Sequence, residues 1–267
     1  MSVIVQGVEV YTRDSGHGDP VLFLHGNPDS ADTWHEVIAR LEPHFRCIAI
    51  DLPGFARSKA PAGFDCSIDN LGRFIASLLE SLAIDAPVNL VSHDFGGAFA
   101  MAFACAHPQK VRRIVTINHP FFVADYRWHA WARIWRAPVI GELSMLAMSW
   151  PVFYWSVKRG SRKLGHEQIS KMYSYLTPET KRMVLRLYRA AGTAVFAQWE
   201  RRMLAATAKI PALVLWGEHD PYIPAWVAER FGATRVTRFP GSGHWTPAEV
   251  PEEVSAELLA FMAPKPA

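Results

Sequence analysis

Short apolar runs that alternate with helix-length segments constrain the fold of this chain more than any other feature. Seven runs are rich in β-branched residues and leucine, and most are continuous, the pattern of strands buried on both faces of a sheet. They span residues 8–12, 21–25, 47–51, 88–92, 113–118, 212–217 and 235–239. Helical patterns are predicted at residues 31–41, 67–82, 97–106 and 252–262. This alternation predicts an α/β fold with a mostly parallel sheet covered by helices on both faces.

The alternation stops between residues 119 and 205, where only helical patterns are found. This segment holds six of the ten tryptophans and five of the seven tyrosines. It contains 14 basic and 5 acidic residues, a net charge of +9, whereas the whole chain has a net charge of +3. An aromatic helical insertion in such a sheet is typical of a lid that lines a substrate pocket and excludes water. We therefore predict a core of residues 1–118 and 206–267 and a helical cap of residues 119–205.

Composition excludes several classes of partner. Half of the residues are hydrophobic, which is typical of a globular protein, and the small net charge of +3 gives no reason to expect nucleic acid. The charge of the cap segment is typical of a solvated helical face, with attraction to an anionic substrate or a membrane surface as the alternative. Two prolines and a glutamate interrupt the apolar residues 137–155. We expect a buried or pocket-lining helix there, and no stable membrane insertion.

The three cysteines, Cys47, Cys66 and Cys105, are widely spaced and odd in number. This pattern excludes a disulfide scaffold and a cysteine-based zinc site. Cys47 and Cys105 lie in apolar runs, which indicates buried thiols in a reducing compartment. The first residues lack the basic segment and apolar segment of a secretory signal. We therefore expect a cytoplasmic protein.

The strongest chemical signal is the sequence VSHDFGG at residues 91–97, where a predicted strand gives way to a helix. Small residues stand two positions before and two positions after Asp94, as in a nucleophile elbow, a tight turn that pushes one side chain into a pocket. A carboxylate at this position attacks an electrophilic carbon and forms an ester that water must hydrolyse. The alternative role of Asp94 is to cap the following helix. Ser92 is a flanking residue and is expected to point away from the pocket.

The sequence HGNP at residues 25–28 follows a predicted strand and provides the first partner of this carboxylate. A glycine turn leaves backbone N–H groups free to point into the cleft. The backbone N–H groups of Asn27 and Phe95 would together form an oxyanion hole. An ordinary glycine-proline turn fits the same four residues.

Two further loops provide an acid and a base. In WGEHDP, at residues 216–221, Asp220 lies deeper in the loop than Glu218, so it is the better candidate to orient a histidine, with Glu218 as the alternative. In GSGHW, at residues 241–245, glycines surround His244, which suits a loop that brings an imidazole close to the elbow. We predict His244 as the general base, and an exposed loop histidine is the alternative.

Together these motifs resemble the α/β-hydrolase superfamily over essentially the whole chain. Asp94, Asp220 and His244 follow in the order that this architecture uses, and DLPGFARS at residues 51–58 is similar to the DLxGxGxS loop of its members. The resemblance implies a mostly parallel central sheet flanked by helices, with a helical cap inserted after the sixth strand. An aspartate at the elbow looks like the branch that contains epoxide hydrolases and haloalkane dehalogenases. In both, the aspartate forms an alkyl-enzyme ester and a histidine activates the hydrolytic water.

The two activities of this branch differ in how the leaving group is held. Epoxide hydrolases resemble one another in placing two cap tyrosines at the epoxide oxygen, which needs a proton or a hydrogen bond. Tyr154, in WPVFYW at residues 150–155, matches the first. Tyr188 and Trp199 lie near the expected position of the second. Each of these aromatic residues has packing in the cap as its alternative role.

Haloalkane dehalogenases characteristically hold the halide with a tryptophan directly after the nucleophile and with a second tryptophan or the asparagine of HGNP. Asn27 matches this pattern, whereas Phe95 departs from it because its side chain has no N–H. Fluoroacetate dehalogenases usually have an arginine at the position of Phe95. The resemblance therefore implies an epoxide hydrolase that converts apolar epoxides to vicinal diols, with haloalkane dehalogenase as the alternative. A non-catalytic binding protein on the same fold is a third hypothesis, which the complete set of Asp94, Asp220 and His244 disfavours.

The resemblance implies a small apolar substrate and water as the partners of the site, and neither a metal nor an organic cofactor. In the second half-reaction, neutral His244, oriented by Asp220, takes a proton from the attacking water. Activity is therefore expected to fall on the acid side as His244 becomes protonated.

Overall fold

The computed structural model describes residues 1–263 and contains eight strands. They are β1 (Ser2–Val5), β2 (Val8–Ser15), β3 (Pro20–Leu24), β4 (Arg46–Ile50), β5 (Val88–His93), β6 (Val111–Ile117), β7 (Ala212–Gly217) and β8 (Arg235–Phe239). They form one sheet in the order β1-β2-β4-β3-β5-β6-β7-β8. β2 pairs antiparallel with β1 and β4, and the remaining pairs are parallel. The α/β fold with a mostly parallel sheet is confirmed.

The apolar character of the central strands is explained by their position in the middle of the sheet. Every residue of β3 and β5 is buried, because helices cover both faces of a parallel sheet. β1 is absent from the predicted strands because its apolar run is only three residues long, Val3–Val5. Of its four residues only Val5 is buried, and Ile4 is exposed. β1 pairs with β2 and also packs against α2.

Two helical layers cover the sheet. The helices α1 (His35–Leu41) and α11 (Pro251–Met262) share one core cluster with Val21 and Phe23 of β3. The helices α2 (Ile68–Ser81) and α3 (Gly96–Ala106) share the other with Leu22 and Leu24. Successive side chains of a strand point to opposite faces, so one strand contributes to both cores.

The predicted helices of the core are present with small differences. The helix predicted at residues 31–41 divides into a 3₁₀ turn, Ala31–Trp34, followed by α1. α2 begins as predicted after Ser67, whose hydroxyl accepts the N–H of Asn70 at 3.4 Å. Cys47 is buried, whereas Cys105 is half-buried, which corrects the expectation of a fully buried thiol.

Six helices lie between β6 and β7, at the predicted place of the cap. They are α4 (Ala130–Arg136), α5 (Ile140–Leu146), α6 (Trp150–Gly160), α7 (His166–Ser174), α8 (Pro178–Ala190) and α9 (Thr193–Thr207). The expectation of one helix over residues 137–155 is wrong, because α5 ends at Leu146 and Pro151 lies in the first turn of α6, where proline favours a helix start. No helix within residues 1–263 is both long and apolar enough to cross a membrane.

Candidate active site

The candidate site lies at the carboxyl edge of the sheet, where loops follow β3, β5, β7 and β8. Parallel strands bring their carboxyl ends to one edge, which is the usual position of a ligand site in α/β folds. A short helix, α10 (Thr246–Glu249), follows the loop after β8. The cap helices α4, α5, α6 and α8 lie across this edge and enclose a cavity.

Asp94 stands in the turn between β5 and α3 with a φ of +44°, a left-handed conformation that is uncommon outside glycine. Neighbouring glycines make the tight turn possible, since a Cβ on Gly26 would clash with Asp94 and one on Gly96 would clash with the backbone of β3. No side chain caps α3, so the capping role is not seen. The Ser92 hydroxyl donates to the Val115 carbonyl at 3.3 Å and points into the sheet as expected. The elbow therefore presents the Asp94 carboxylate to the cavity.

Two backbone N–H groups hydrogen-bond to this carboxylate. The N–H of Asn27 donates to Oδ1 of Asp94 at 2.7 Å, and the N–H of Phe95 also hydrogen-bonds to the carboxylate. Burial raises the pKa of Asp94, while His244 and these two N–H groups oppose the rise. The second oxygen, Oδ2, faces His244 and is the one free to attack. Two backbone N–H groups directed at one buried carboxylate form the arrangement expected of an oxyanion hole.

His25 fixes the loop that carries Asn27. Its Nε2 accepts the N–H of Leu52 at 2.9 Å, so Nδ1 carries the proton and donates to the Gly26 carbonyl at 2.7 Å. Burial lowers the pKa of His25 to about 4, which keeps the ring neutral. His25 is therefore a structural residue of the oxyanion loop.

His244 lies between two carboxylates. Its Nδ1 is 2.7 Å from Oδ2 of Asp220, and its Nε2 is 3.8 Å from Oδ2 of Asp94. Glu218, the alternative acid, instead lies 3.8 Å from Arg238. The structure thus brings Asp94, His244 and Asp220 together in one line.

Asp220 is held in a fixed orientation by further donors. Asn118, directly after β6, donates its Nδ2–H to Oδ2 at 2.9 Å. The backbone N–H groups of Tyr222 and Ile223 donate to Oδ1 at 2.8 and 3.0 Å. A carboxylate with both oxygens occupied in this way can hold the imidazole in one tautomer, with the proton on Nδ1.

The charge state of His244 depends on the charge of Asp94. Burial lowers the pKa of His244, but the carboxylates of Asp220, Asp94 and Glu249 together raise it to about 9. An imidazole with this pKa is charged at neutral pH, whereas a general base must be neutral. Loss of the negative charge on Asp94 would therefore lower the pKa of His244.

The backbone of His244 is anchored on both sides. Its N–H donates to the carbonyl of Gly160, at the end of cap helix α6, at 2.8 Å. Its carbonyl oxygen lies 2.8 Å from Nε2 of His93, beside the nucleophile. The position of the base is thus tied to the cap and to the elbow at once.

Glu249, on α10, supports the same loop and was missed by the sequence analysis. Its carboxylate accepts the N–H groups of Gly243 and Trp245, on either side of His244, at 3.0 and 3.1 Å. It also hydrogen-bonds to the side chain of Ser161 in the cap. Burial raises the pKa of Glu249, and these bonds oppose the rise. The only sequence signal is an acidic residue five positions after the histidine.

The cavity above Asp94 and His244 has an empty volume of about 640 Å³, which includes open solvent at its mouth. Most of its wall is apolar and aromatic, for example Trp131, Trp135, Met145, Met148, Phe153 and Val157. Few polar side chains reach it. Such a wall fits a small apolar ligand. Within residues 1–263, no cluster of three or more His, Cys, Asp or Glu side chains could hold a metal ion.

Only one of the three aromatic residues chosen from the cap lies at this cavity. Tyr188, on α8, lines it with its ring edge-on to Phe95 at 4.6 Å between centroids. Tyr154 follows Phe153 on α6, and one residue turns a helix by about 100°. Its ring therefore packs against Trp150, at 5.3 Å between centroids, and does not line the cavity. This corrects the expected position of Tyr154.

Trp199 also lies away from the cavity, which corrects the second expectation. Its ring stacks on Phe122 at 5.2 Å between centroids, and the guanidinium of Arg202 lies 3.7 Å from the ring centroid. α9, which carries Trp199, packs against α3 of the core. Trp199 is therefore a packing residue between cap and core.

His129, which precedes α4, lines the cavity and was missed by the sequence analysis. Its Nδ1 accepts the N–H of Ala132 at 3.3 Å, so the proton of the neutral ring is on Nε2. Burial lowers the pKa of His129 to about 4, which keeps the ring neutral. Its position as the N-cap of a short helix is visible in the sequence only after the helix is known.

Comparisons with known proteins agree with this geometry. The model of the alpha/beta hydrolase fold matches residues 19–250. Haloalkane dehalogenase 2 of Mycobacterium tuberculosis is 27% identical over 260 residues, which cover 94% of this chain and 90% of that protein. Epoxide hydrolase 3 of Mus musculus is 28% identical over 281 residues, which cover 96% of this chain and 74% of that protein. The structure of an ancestral haloalkane dehalogenase has a TM-score of 0.82 at 28% identity, and the match covers 98% of this chain and 97% of that chain.

The dependence of His244 on Asp94 can be measured directly. In Asp94→Asn, as in the ester, the negative charge is absent. The pKa of His244 should therefore fall from about 9 by about one to three pH units. An NMR titration of the ring nitrogens checks this. The control is Glu218→Gln, in the same loop as Asp220 but directed at Arg238, and it should leave the pKa of His244 unchanged. An unchanged pKa of His244 in Asp94→Asn contradicts the coupling.

The role of Glu249 is tested by Glu249→Gln. Glutamine offers one acceptor oxygen, so one of the two loop N–H groups loses its partner, and kcat should fall about tenfold. Loss of the charge also lowers the pKa of His244, so the acid limb of the kcat profile should move to lower pH. Glu253→Gln, an exposed residue of α11, is the control. A lower kcat with an unmoved pH profile would show that Glu249 serves only stability.

Proposed function

The chain belongs to the alpha/beta hydrolase fold family and is a hydrolase, and on this premise we propose that it opens apolar epoxides to vicinal diols through an ester on Asp94. Residues 119–205 form the cap in this proposal, and residues 1–118 and 206–267 form the catalytic core. The substrate is a small apolar molecule, and water is the second reactant. Asp94, His244 and Asp220 are the catalytic residues.

The observation that carries the proposal is the buried hydroxyl of Tyr188 beside the nucleophile. Its oxygen accepts from Nδ2 of Asn27 at 3.5 Å, and the N–H of Asn27 holds Asp94. The proton of this hydroxyl has no hydrogen-bond acceptor within residues 1–263, which leaves it available to a ligand. Burial and the charge of Asp94 raise the pKa of Tyr188, so the group stays protonated. An epoxide oxygen needs such a donor as the ring opens.

His129 lies next to Tyr188 at the cavity and supports the same chemistry. Its ring centroid is 6.2 Å from that of Tyr188, and its neutral tautomer carries the proton on Nε2. Tyr222 is not free for this role, because its hydroxyl donates to the carbonyl of Ser156. We therefore assign the two donor positions to Tyr188 and His129. Of the three candidates from the sequence, Tyr188 keeps this role, and Tyr154 and Trp199 do not.

In the first half-reaction, Oδ2 of Asp94 attacks the less hindered epoxide carbon. The carbon–oxygen bond breaks, its electron pair goes to the ring oxygen, and that oxygen takes the proton of Tyr188. The ester has no negative charge, so the pKa of His244 falls. The proton that His244 loses passes through water to the phenolate of Tyr188. Asp94 is then a neutral ester, and His244 is a neutral base.

In the second half-reaction, His244 takes a proton from the water that attacks the ester carbonyl. The oxyanion is held by the N–H groups of Asn27 and Phe95, which already hydrogen-bond to the Asp94 carboxylate in the free protein. Collapse of the tetrahedral intermediate breaks the bond between the carbonyl carbon and the diol oxygen. The diol oxygen takes the proton that the attacking water left on the intermediate, and the diol leaves. Asp94 is again ionised and His244 is again charged.

A haloalkane dehalogenase is the second candidate, and one further observation favours it. The indole N–H of Trp135 is buried without a hydrogen-bond partner within residues 1–263, and Trp135 lines the cavity. Together with Nδ2 of Asn27, this N–H could hold a departing halide. The ester chemistry of Asp94 and His244 is the same for both substrates, so the leaving-group donors decide between them.

The proposal is tested by Tyr188→Phe in single-turnover experiments with an epoxide and an alkyl halide. Loss of the proton donor should slow ester formation from the epoxide about 100-fold or more, with little effect on halide displacement. Tyr154→Phe is a matched control, because its ring lies outside the cavity, and it should keep the wild-type rate. If the wild type consumes only the halide and Trp135→Phe slows it, the protein is the dehalogenase.

A further inference from the structure

The outer face of the cap exposes apolar side chains on two consecutive helices. Ten large hydrophobic residues are exposed within residues 1–263, and six of them lie between residues 139 and 155. We call these six the apolar face: Val139, Ile140, Leu143, Leu146, Val152 and Trp155. Leu146 is 80% exposed and Trp155 is 56% exposed. Such a concentration on one part of the surface indicates an interaction site.

The helical period explains how the apolar face forms. Leu143 and Leu146 lie one turn apart on the outside of α5, while Met145 lines the cavity. On α6, Trp155 is outside, and Phe153 and Val157 line the cavity. These two short helices therefore separate the substrate cavity from whatever contacts the apolar face.

Three cations without acidic partners lie at one end of the apolar face. Residues 126–166 contain seven basic residues and one acidic residue, Glu142, and Arg189 pairs with it at 2.7 Å. Arg159, Arg162 and Lys163 follow the apolar face at the end of α6 and are exposed. Within the described chain, none of the three lies within 4.0 Å of a carboxylate. The guanidinium of Arg159 lies 5.6 Å from the ring centroid of Trp155.

This charge distribution selects one kind of partner. In a two-fold contact between copies of the chain, the same patch meets itself, so the basic groups would face each other and repel. An anionic lipid surface attracts these basic groups and neutralises their charge. Tryptophan beside arginine on an apolar helix face is also the composition of helices that lie in the membrane interface.

We propose that the apolar face docks the cap on an anionic lipid surface, with α5 and α6 lying in the plane of the headgroups. The docking does not depend on which electrophile Asp94 attacks.

The test is a vesicle flotation experiment with the full chain. Vesicles of phosphatidylcholine alone are compared with vesicles that also contain phosphatidylglycerol, at low and high salt. Binding to the anionic vesicles should exceed binding to the neutral ones by about tenfold or more and should weaken as salt is raised. Equal binding to both vesicles, or binding to neither, overturns the proposal.

Two double variants separate the contribution of the apolar side chains to vesicle binding from that of the basic side chains. Leu143→Ser with Leu146→Ser, and Arg162→Glu with Lys163→Glu, should each reduce binding to anionic vesicles by about tenfold or more. None of these side chains lines the cavity, so turnover of a water-soluble substrate should stay at the wild-type rate. That rate also shows that the variants are folded.

Matched controls change the same residue types elsewhere on the surface. Ile4→Ser removes an exposed apolar side chain of β1, and Lys209→Glu reverses an exposed charge beyond α9. Both should bind vesicles like the wild type, and an equal loss in the controls overturns the proposal. Sedimentation measures the oligomeric state in parallel. A dimer that the serine double variant dissociates, without lipid binding, would show that a second copy is the occupant.

Discussion

The contact on which the rest of the site depends is the pairing of the buried Asp94 carboxylate with two N–H groups and the His244 ring. Burial opposes ionisation of Asp94, and only the surrounding donors and the imidazolium compensate for it. Close packing at Gly26 and Gly96 fixes the turn that places the carboxylate there. The charge of Asp94 in turn sets the charge of His244. Nucleophile and base are thus parts of one electrostatic unit, and changing one changes the other.

The cap has a second task besides lining the cavity. The end of α6 accepts a hydrogen bond from the backbone N–H of His244 through Gly160, and Ser161 bonds to Glu249. Glu249 holds the N–H groups on both sides of the histidine. A cap helix that moved would therefore disturb the base as well as the pocket. This coupling explains how a wall of mainly apolar residues can still control a catalytic loop.

The elbow, the oxyanion loop and the two loops of the acid and base could be predicted, because each depends on local backbone rules and glycine spacing around Asp94, Asp220 and His244. The cap residues could not. The position of Tyr154 was mispredicted by one residue of helix rotation. A sequence does not fix this rotation when both neighbouring positions are aromatic. His129 and Glu249 hydrogen-bond to backbone N–H groups three to six residues away, but their approach to the cavity and to Ser161 of the cap depends on tertiary packing that no local pattern reveals. The short strand β1 was missed because its apolar run is only three residues long.

The most direct test of the central claim is the intact mass of His244→Gln after incubation with a panel of epoxides and alkyl halides. Without its base, the variant should form the ester and hydrolyse it slowly, so the intermediate accumulates. The account predicts an adduct on Asp94 with the full mass of an epoxide. An adduct with only the alkyl mass would establish the dehalogenase instead. If neither adduct forms and the wild type leaves the panel unchanged, a covalent role for Asp94 is contradicted.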